Sequence, residues 1–354
     1  MRKNFISSFI IALGIFPFLF SACDSKKAPT LPGSGGKTCE IMVVCPKVYF
    51  ESALGDSLRA FFMQAQVGLN QEEPLFTLAN IQPEAFNKSE MFQHHRNILI
   101  VEFDKSKKAK MEMQENYWAT PQTIFKFTVP DPQAFYPLFQ AKRNQILWTF
   151  YDKEYLRIQK VFKKSEAINV SSRLSKQYGF KLTFPDGFDF AASKSDFAWI
   201  RKESKEYGQG ILISIFPYKD LSIFDLQQII RKRNEISAKV PGPGEGSYMT
   251  TEDRFPEANP ISKPINFNGL YAMETRGIWR LEKDFMGGPF VNYVFVDTAL
   301  QRVIMLDAYL YSPRKAKRDL LMQMEAIARS LVFTPKDTTS INSKENAISK
   351  NKKQ

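Results

Sequence analysis

The sequence predicts an α+β fold with antiparallel sheets and packed helices, arranged in two lobes, the second sheet being closed by a C-terminal helix. Predicted strands occur in consecutive runs with helices before and after them, a pattern typical of α+β proteins. Roughly 300 residues lie between polar segments near the two ends, which is enough for two ordinary domains. Phenylalanine accounts for 31 of 354 residues and indicates a large apolar core.

Residues 1–22 have the composition of an export signal. Arg2 and Lys3 precede an uncharged, mostly apolar run over residues 5–22. Pro17 lies inside this run and would kink a membrane-spanning helix made from it. We therefore predict a signal peptide over residues 1–22.

Cys23 is predicted to carry a lipid anchor. Ser21 and Ala22, directly before it, resemble the end of the bacterial lipobox, in which the cysteine is acylated and becomes the new N-terminus. Phe20 stands where that motif usually has leucine. Residues 23–37 have the Ser, Gly, Pro and Lys composition of a flexible tether. The alternative interpretation is an uncleaved anchor that leaves Cys23 as a free thiol.

The body divides at a predicted helix. We predict an N-terminal α/β lobe over residues 38–151, a connecting helix over 152–179, and a C-terminal α+β lobe over 180–334. Gly179 is well placed to end the connecting helix. The segment 335–354 is polar, basic and aperiodic, and predicts a disordered tail.

Periodicity places the elements of the first lobe. Short apolar runs predict strands over 40–46, 97–103 and 122–129. An apolar stripe predicts a helix over 52–67, and the chain becomes helical again from Asp131.

The second lobe is predicted to contain more strands. They are expected over 180–185, 197–203, 210–218, 269–281, 290–297 and 302–311, with a helix over about 222–239. In a last helix, Ser312 is expected at the N-cap and Pro313 at N1, with apolar residues along the inner face.

Cys39 and Cys45 are expected to be buried and unbridged. Six residues of strand separate them by ~20 Å, whereas a disulfide needs Cα atoms within ~7 Å.

The formal charge of +12 is clearly basic. Outside the cytoplasm, anionic lipid or glycan is the expected counterpart rather than nucleic acid, and an envelope protein is a further possible partner. A solvated basic surface without any partner is the alternative.

Catalytic and metal-binding motifs are not apparent in the sequence. His94 and His95 are adjacent, and a surface turn before a strand is the preferred interpretation of both. Glu72 and Glu73 could act as an acid–base pair, but a solvated loop before Pro74 is the preferred interpretation. We predict no catalytic residue, metal ligand or cofactor.

A glycine-rich segment is the first candidate contact site. Gly287 and Gly288 are expected to form a turn between two strands. The candidate contact residues around this turn are Arg276, Trp279, Met286, Gly287, Gly288 and Phe290. The alternative is a hairpin loop folded onto its own core.

Four cations form the second candidate contact site. Arg314, Lys315, Lys317 and Arg318 crowd the start of the last predicted helix, where the helix dipole disfavours positive charge. Such an arrangement can bind an anion, and plain surface solubility is the alternative.

Six short motifs in a fixed order resemble a known family. They are "LNQEEPLF" (69–76), "RNILIV" (96–101), "WATPQ" (118–122), "VPGP" (240–243), "RGIW" (276–279) and "MGGPF" (286–290). The chain resembles, over about residues 36–333, the Bacteroidetes lipoproteins described as domain of unknown function number four-eight-three-seven. The resemblance implies a lipid-anchored envelope protein and assigns no catalytic residue.

Together these observations predict a lipid-anchored cell-envelope protein that acts as a non-catalytic binding or interaction module. The alternative is an extracytoplasmic hydrolase of glycan or lipid, which needs two carboxylates, or a histidine and a carboxylate, converging in one cleft, such as Glu72 or Glu73 near His94. We expect the body to face the periplasm, at the inner leaflet of the outer membrane or the outer leaflet of the inner membrane.

Overall fold

The computed structural model describes residues 30–334. The predicted signal peptide, Cys23, most of the tether and the tail over 335–354 lie outside the described residues.

A five-stranded sheet forms the N-terminal half. Its strands are β1 (Glu40–Val44), β2 (Thr77–Ile81), β3 (Asn97–Phe103), β4 (Lys110–Glu115) and β5 (Thr123–Val129). Their spatial order is β2-β1-β3-β5-β4. All neighbours pair in parallel except β4, which is antiparallel to β5. The fold class α+β is confirmed, but this first sheet is mostly parallel rather than antiparallel. Helices connect β1 to β2 and β2 to β3, and the edge strand β4 lies between β3 and β5 in the chain.

Helices cover the two faces of this sheet unequally. They are α1 (Lys47–Phe50), α2 (Ala53–Phe62), α3 (Pro83–Lys88), α4 (Glu90–Gln93) and α5 (Pro132–Lys164). One face packs against α2 and α5 in a core rich in phenylalanine. The other face is covered mainly by the short helices α3 and α4, which contribute Phe86 and Phe92. The second face is therefore the more open one.

The connecting helix predicted over 152–179 is two helices in the structure. Helix α5 extends to Lys164, and α6 spans Ile168–Tyr178. Between them, Asp186 N donates to Ser165 O and Ala167 N donates to Phe184 O. The backbone there pairs with a neighbouring segment instead of continuing the helix. The predicted end at Gly179 is confirmed, since Gly179 has φ 79° at the C-cap.

An eight-stranded antiparallel sheet forms the C-terminal half. Its strands are β7 (Asp189–Ser193), β8 (Phe197–Glu203), β9 (Gly208–Pro217), β10 (Tyr248–Thr251), β11 (Ile261–Phe267), β12 (Leu270–Glu282), β13 (Gly287–Asp297) and β14 (Arg302–Tyr311). The order is β10-β12-β13-β14-β9-β8-β7, and β11 also pairs with β12. Two short strands, β6 (Phe180–Lys181) and β15 (Val332–Phe333), pair separately.

Helices pack on both faces of this second sheet. Helix α7 (Leu226–Ser237) covers one face. Helices α6 and α8 (Arg318–Arg329) cover the other. The predicted closure of the sheet by a C-terminal helix is confirmed.

Helix α8 also joins the two halves. Its Met322 and Ala326 belong to the N-terminal core, whereas Met324 and Ile327 belong to the C-terminal core. Both sheets therefore pack against the same helix, α8.

None of the helices within residues 30–334 combines the length and the apolar character needed to cross a bilayer.

Candidate functional site

The predicted glycine-rich turn is a strand in the structure. Gly287 and Gly288 lie in β13 and pair with Arg280 and Trp279 of β12. The turn is formed instead by the residues just before them, where Lys283 has φ 65° and Phe285 is exposed. The prediction of a turn at Gly287–Phe290 was wrong.

Close packing explains the glycine at position 288. A Cβ atom there would lie 2.1 Å from Leu310 O and 3.2 Å from Trp279 Nε1. Trp279 and Phe290 are buried, and the Trp279 indole donates to Leu310 O at 3.1 Å. Met286 packs against the same core while partly exposed. These aromatic side chains stabilise the interior of the sheet.

Arg276 lies in a buried ion network between the two halves. Its guanidinium forms two hydrogen bonds with Glu325, at 2.8 and 2.9 Å, and one with Glu274 at 2.9 Å. Tyr155 of α5 donates to Glu325 at 2.5 Å. Burial alone would raise the pKa of Glu274, but the charge and hydrogen bond of Arg276 lower it to about 2. Arg276 therefore fixes α8 and α5 against β12.

The predicted anion position at the last helix is occupied by the chain itself. Helix α8 begins at Arg318, so the cap predicted at Ser312 and Pro313 was wrong. The backbone N–H groups of Lys317 and Arg318 donate to the Glu73 carboxylate, at 2.6 and 3.0 Å. A carboxylate at this helix end is favourable because the dipole is positive there.

The four predicted cations differ in their surroundings. Lys317 is buried and its ammonium donates to Gln71 Oε1 at 2.7 Å, while Arg318 donates to Pro74 O at 3.0 Å. Lys315 pairs with Glu206 on the surface, and Arg314 is exposed. Two of the four cations thus hold the loop that carries Glu73.

The structure does not bring Glu73 and His94 together as the example of a hydrolase site would require. Glu73 is bonded to α8, whereas His94 forms the C-cap of α4. His95 is buried rather than in a surface turn, and its Nδ1 lies 3.0 Å from Asn97 O. Burial lowers the pKa of His95, which keeps the imidazole neutral at pH 7.

The cysteines follow the prediction. Cys39 and Cys45 are free and buried. Burial raises the pKa of Cys39 to about 12 and that of Cys45 to about 11, so neither thiol is reactive at neutral pH. Within residues 30–334, no group of three or more His, Cys, Asp or Glu side chains is placed to hold a metal ion.

A pocket lies over the more open face of the first sheet and reaches the carboxyl ends of β1 and β3. From β1 the chain crosses to β2 on one side, and from β3 it passes to β5 on the other. In open parallel sheets, ligands bind outside the carboxyl ends of the strands at such a reversal point. The pocket there, of about 520 Å³, includes Val44 at the end of β1 and Phe103 at the end of β3. We call it the carboxyl-edge pocket.

Five of the fourteen residues that line the carboxyl-edge pocket are aromatic. They are Tyr49, Phe86, Phe103, Tyr117 and Trp118. The Phe86 and Trp118 rings meet edge to face at 5.2 Å, and Tyr117 packs edge to face on Trp118 at 4.6 Å. The volume and the aromatic lining are typical of a small-molecule site.

A few polar groups in the pocket can orient a bound molecule. Lys126 pairs with Glu102 at 2.6 Å, and both side chains are half-exposed. Gln114 and Asn87 supply amide groups at the rim. Among the described residues that line the pocket, Glu102 is the one carboxylate, and there is no serine, threonine, cysteine or histidine. The arrangement can bind a ligand and offers no activated nucleophile.

The loop that carries the aromatic pair is held by hydrogen bonds. Gln122 accepts from Trp118 N at 2.9 Å, and its amide donates to His95 O at 2.8 Å. Sequence analysis noted Trp118 only as part of a family motif. The pocket could not be seen there, because its lining comes from separate segments and depends on the parallel pairing of β1 with β3.

The geometry defines an α+β protein with an aromatic pocket on its mostly parallel sheet, and two family models match parts of the chain. Residues 167–330 match the family described as a domain of unknown function, DUF4837, the family that the motifs resemble. Residues 34–163 match a second domain of unknown function, DUF8532. The first family therefore covers the C-terminal half rather than the whole of 36–333.

Three solved structures resemble part of the chain. A mutant of the protein Mog1 is 10% identical, with 46% of this chain covering 93% of that one and a TM-score of 0.27. The Ran-binding protein Mog1p of Saccharomyces cerevisiae is 9% identical, with coverage of 44% and 90% and a TM-score of 0.26. LpqN, involved in cell envelope biogenesis of Mycobacterium tuberculosis, is 13% identical, with coverage of 44% and 83% and a TM-score of 0.26. These scores are too low to support a functional conclusion. No curated protein matches the chain.

Proposed function

We propose that the protein is a lipid-anchored cell-envelope module that binds a small ligand in its carboxyl-edge pocket without transforming it. The observation that supports binding is the pocket itself, an aromatic cavity at the reversal point of a parallel sheet. The export signal and the cysteine that follows it support the anchor and the envelope location.

A glycan fragment is the ligand class that fits this lining best. A sugar ring has an apolar face that can pack on Tyr117 or Trp118 and a rim of hydroxyl groups. Gln114, Glu102 and Lys126 supply both donors and acceptors for such hydroxyls. The periplasmic side of the envelope, where we place the body, contains glycans of this size.

Binding is tested by substituting an exposed pocket aromatic. We expect Tyr117→Ala to weaken binding of soluble peptidoglycan fragments roughly tenfold, because an aromatic contact contributes about 0.5–1.5 kcal/mol. Titration followed by Trp118 fluorescence reports occupancy. Tyr271→Ala is the matched control, since Tyr117 is 58% and Tyr271 60% exposed.

Two outcomes would count against the pocket. Equal affinity of the Tyr117→Ala variant and the wild type would show that the fragments bind elsewhere. Release of cleaved fragments by the wild type would favour the hydrolase alternative instead. That alternative needs a carboxylate free to act, whereas Glu73 is already bonded to α8.

The anchor is tested separately. Mass spectrometry of the native protein should find a mature chain that begins at an acylated Cys23, and Cys23→Ser should prevent this processing. Protease digestion of intact cells should leave the body uncut if it faces the periplasm. An unmodified thiol together with an intact Met1 would contradict the proposed anchor.

A further inference from the structure

A basic groove lies at the opposite edge of the N-terminal sheet from the pocket. It runs along α5 beside the amino ends of β3 and β5, in two connected parts of about 180 and 530 Å³. Both parts share Arg96, Thr120, Pro121, Arg157 and Lys160. We call it the amino-edge groove.

Its floor contains two guanidinium groups around one carboxylate. Glu154 is fully buried and accepts a hydrogen bond from Asn97 Nδ2 at 2.8 Å. Arg157 is in direct contact with Glu154, and Arg96 Nη1 lies 3.9 Å from it. Arg96 is further fixed by donating from Nε to Gly35 O at 3.0 Å. The carboxylate of Glu40 also acts on Arg96, so the unpaired positive charge of the groove comes from its rim.

The rim adds more positive charge. Lys153 is paired with Glu115 at 2.7 Å, and the other carboxylate of the groove, Asp319, is paired with Arg318. Lys160 and Lys164 are exposed and have no carboxylate within 4.0 Å among residues 30–334.

The spacing of cations along α5 slightly destabilises this helix. Lys153 and Arg157 stand four residues apart, as do Lys160 and Lys164. Like charges at this spacing destabilise a helix by a few tenths of a kcal/mol per pair. Lys160 and Lys164 lie near the C-terminus of α5, where the helix dipole offsets this repulsion.

The tether enters the body at this same groove. Gly35 N donates to His94 O and Ser34 N donates to Thr120 O, so the first described residues run along the amino edge. The Ser34 hydroxyl is buried beside the groove and has no hydrogen-bond partner within residues 30–334. It is a donor available to an oxygen-rich ligand.

We propose that the amino-edge groove binds the phosphate of an anionic phospholipid head group in the membrane that holds the anchor. This inference rests on the proposed lipidation of Cys23. The eleven residues from Cys23 to Gly33 can span at most ~35 Å, so the groove stays close to the bilayer. Attachment makes binding effectively intramolecular, which allows a weak site to be occupied.

The test is lysine footprinting of the native full chain on vesicles. Phosphatidylcholine vesicles are compared with vesicles in which phosphatidylglycerol replaces part of the lipid. We expect reaction of Lys160 and Lys164 with an amine-specific reagent to slow roughly fivefold with phosphatidylglycerol, given ~1 kcal/mol per lysine near an anionic surface. Lys107 and Lys108, exposed at the opposite edge, are the internal controls and should not change.

Matched variants repeat the comparison. Lys160→Glu with Lys164→Glu should abolish the phosphatidylglycerol-dependent protection of Lys153, whereas Lys107→Glu with Lys108→Glu should preserve it. All four positions are exposed, so both variants should fold.

Three results would overturn the proposal. They are equal protection of the control lysines, no protection by phosphatidylglycerol, and equal protection by inorganic phosphate with phosphatidylcholine vesicles. The last result would assign the groove to a free anion rather than a lipid. Intact mass of the same sample reports acylation of Cys23 independently, so failure of the anchor and failure of the groove can be told apart.

Discussion

In the N-terminal half, four parallel strands end together at two edges, and each edge carries an open site. In the C-terminal half, eight antiparallel strands form the second sheet, and helices cover both of its faces. The large apolar and charged residues predicted as contacts belong mostly to this second half. There, Trp279, Phe290 and Arg276 stabilise the interior. Aromatic and cationic residues therefore occur both in the buried framework and around the open pocket, and residue type alone does not distinguish the two.

The largest expected loss of stability comes from disrupting the buried ion network of Arg276. Arg276→Met removes the hydrogen-bonded cation of Glu325 and Glu274, leaving Glu274 only the more distant Lys263 and Arg329. We expect a loss of about 3–5 kcal/mol in the free energy of unfolding. Lys263→Met is the control, because Lys263 lies 3.3 Å from Glu274 but is half-exposed, and should cost below about 1 kcal/mol. Urea denaturation measures both. Similar losses in the two variants would show that the buried network is not what joins the halves.

The second expected effect is a loss of stability at acidic pH. The folded pKa of Glu274 is about 2, below its ordinary 4.5, so the ionised form stabilises the folded state. This stabilisation is complete above about pH 4.5 and is lost as the pH falls toward 2, an effect of about 3 kcal/mol. Urea midpoints across this range should fall more steeply for the wild type than for Glu274→Gln. Parallel curves would contradict the assignment.

The smallest expected effect on stability comes from substituting single glycines, one in each half. Gly288→Ala should cost about 1–3 kcal/mol, because the added Cβ meets Leu310 O and the strands must move apart. Gly33→Ala, at the amino edge, meets nothing within 4 Å and should change the free energy of unfolding by less than about 0.5 kcal/mol. Thermal denaturation distinguishes the two. A tolerant Gly288 would mean that β13 is less tightly packed than described.

Apolar periodicity correctly predicted the position of several strands in both halves. The strands predicted over 97–103, 197–203 and 302–311 agree with β3, β8 and β14 at both ends. Strand β4 was missed because "KMEMQE" is an exposed, charged edge strand that buries little apolar surface. Strand β2 was missed because it is short and only half-buried throughout.

Long-range contacts account for the remaining differences. Gly-Gly-Pro has the composition of a turn, and only the approach of Leu310 explains why glycine is needed within a strand. The start of α8 was misplaced because its carboxylate cap, Glu73, lies 244 residues earlier than Lys317 in the chain. The amino-edge groove and the carboxyl-edge pocket depend on parallel pairing, which local patterns do not reveal.

Helix α8 has a consequence for the order in which the protein forms. It ends at Arg329, near the close of the described chain, yet it supplies side chains to both cores. Neither core can be completed until this late segment has been synthesised. A chain that leaves the cytoplasm as proposed would therefore still be incompletely folded during most of its passage, and would gain its final stability only after its last turns had followed.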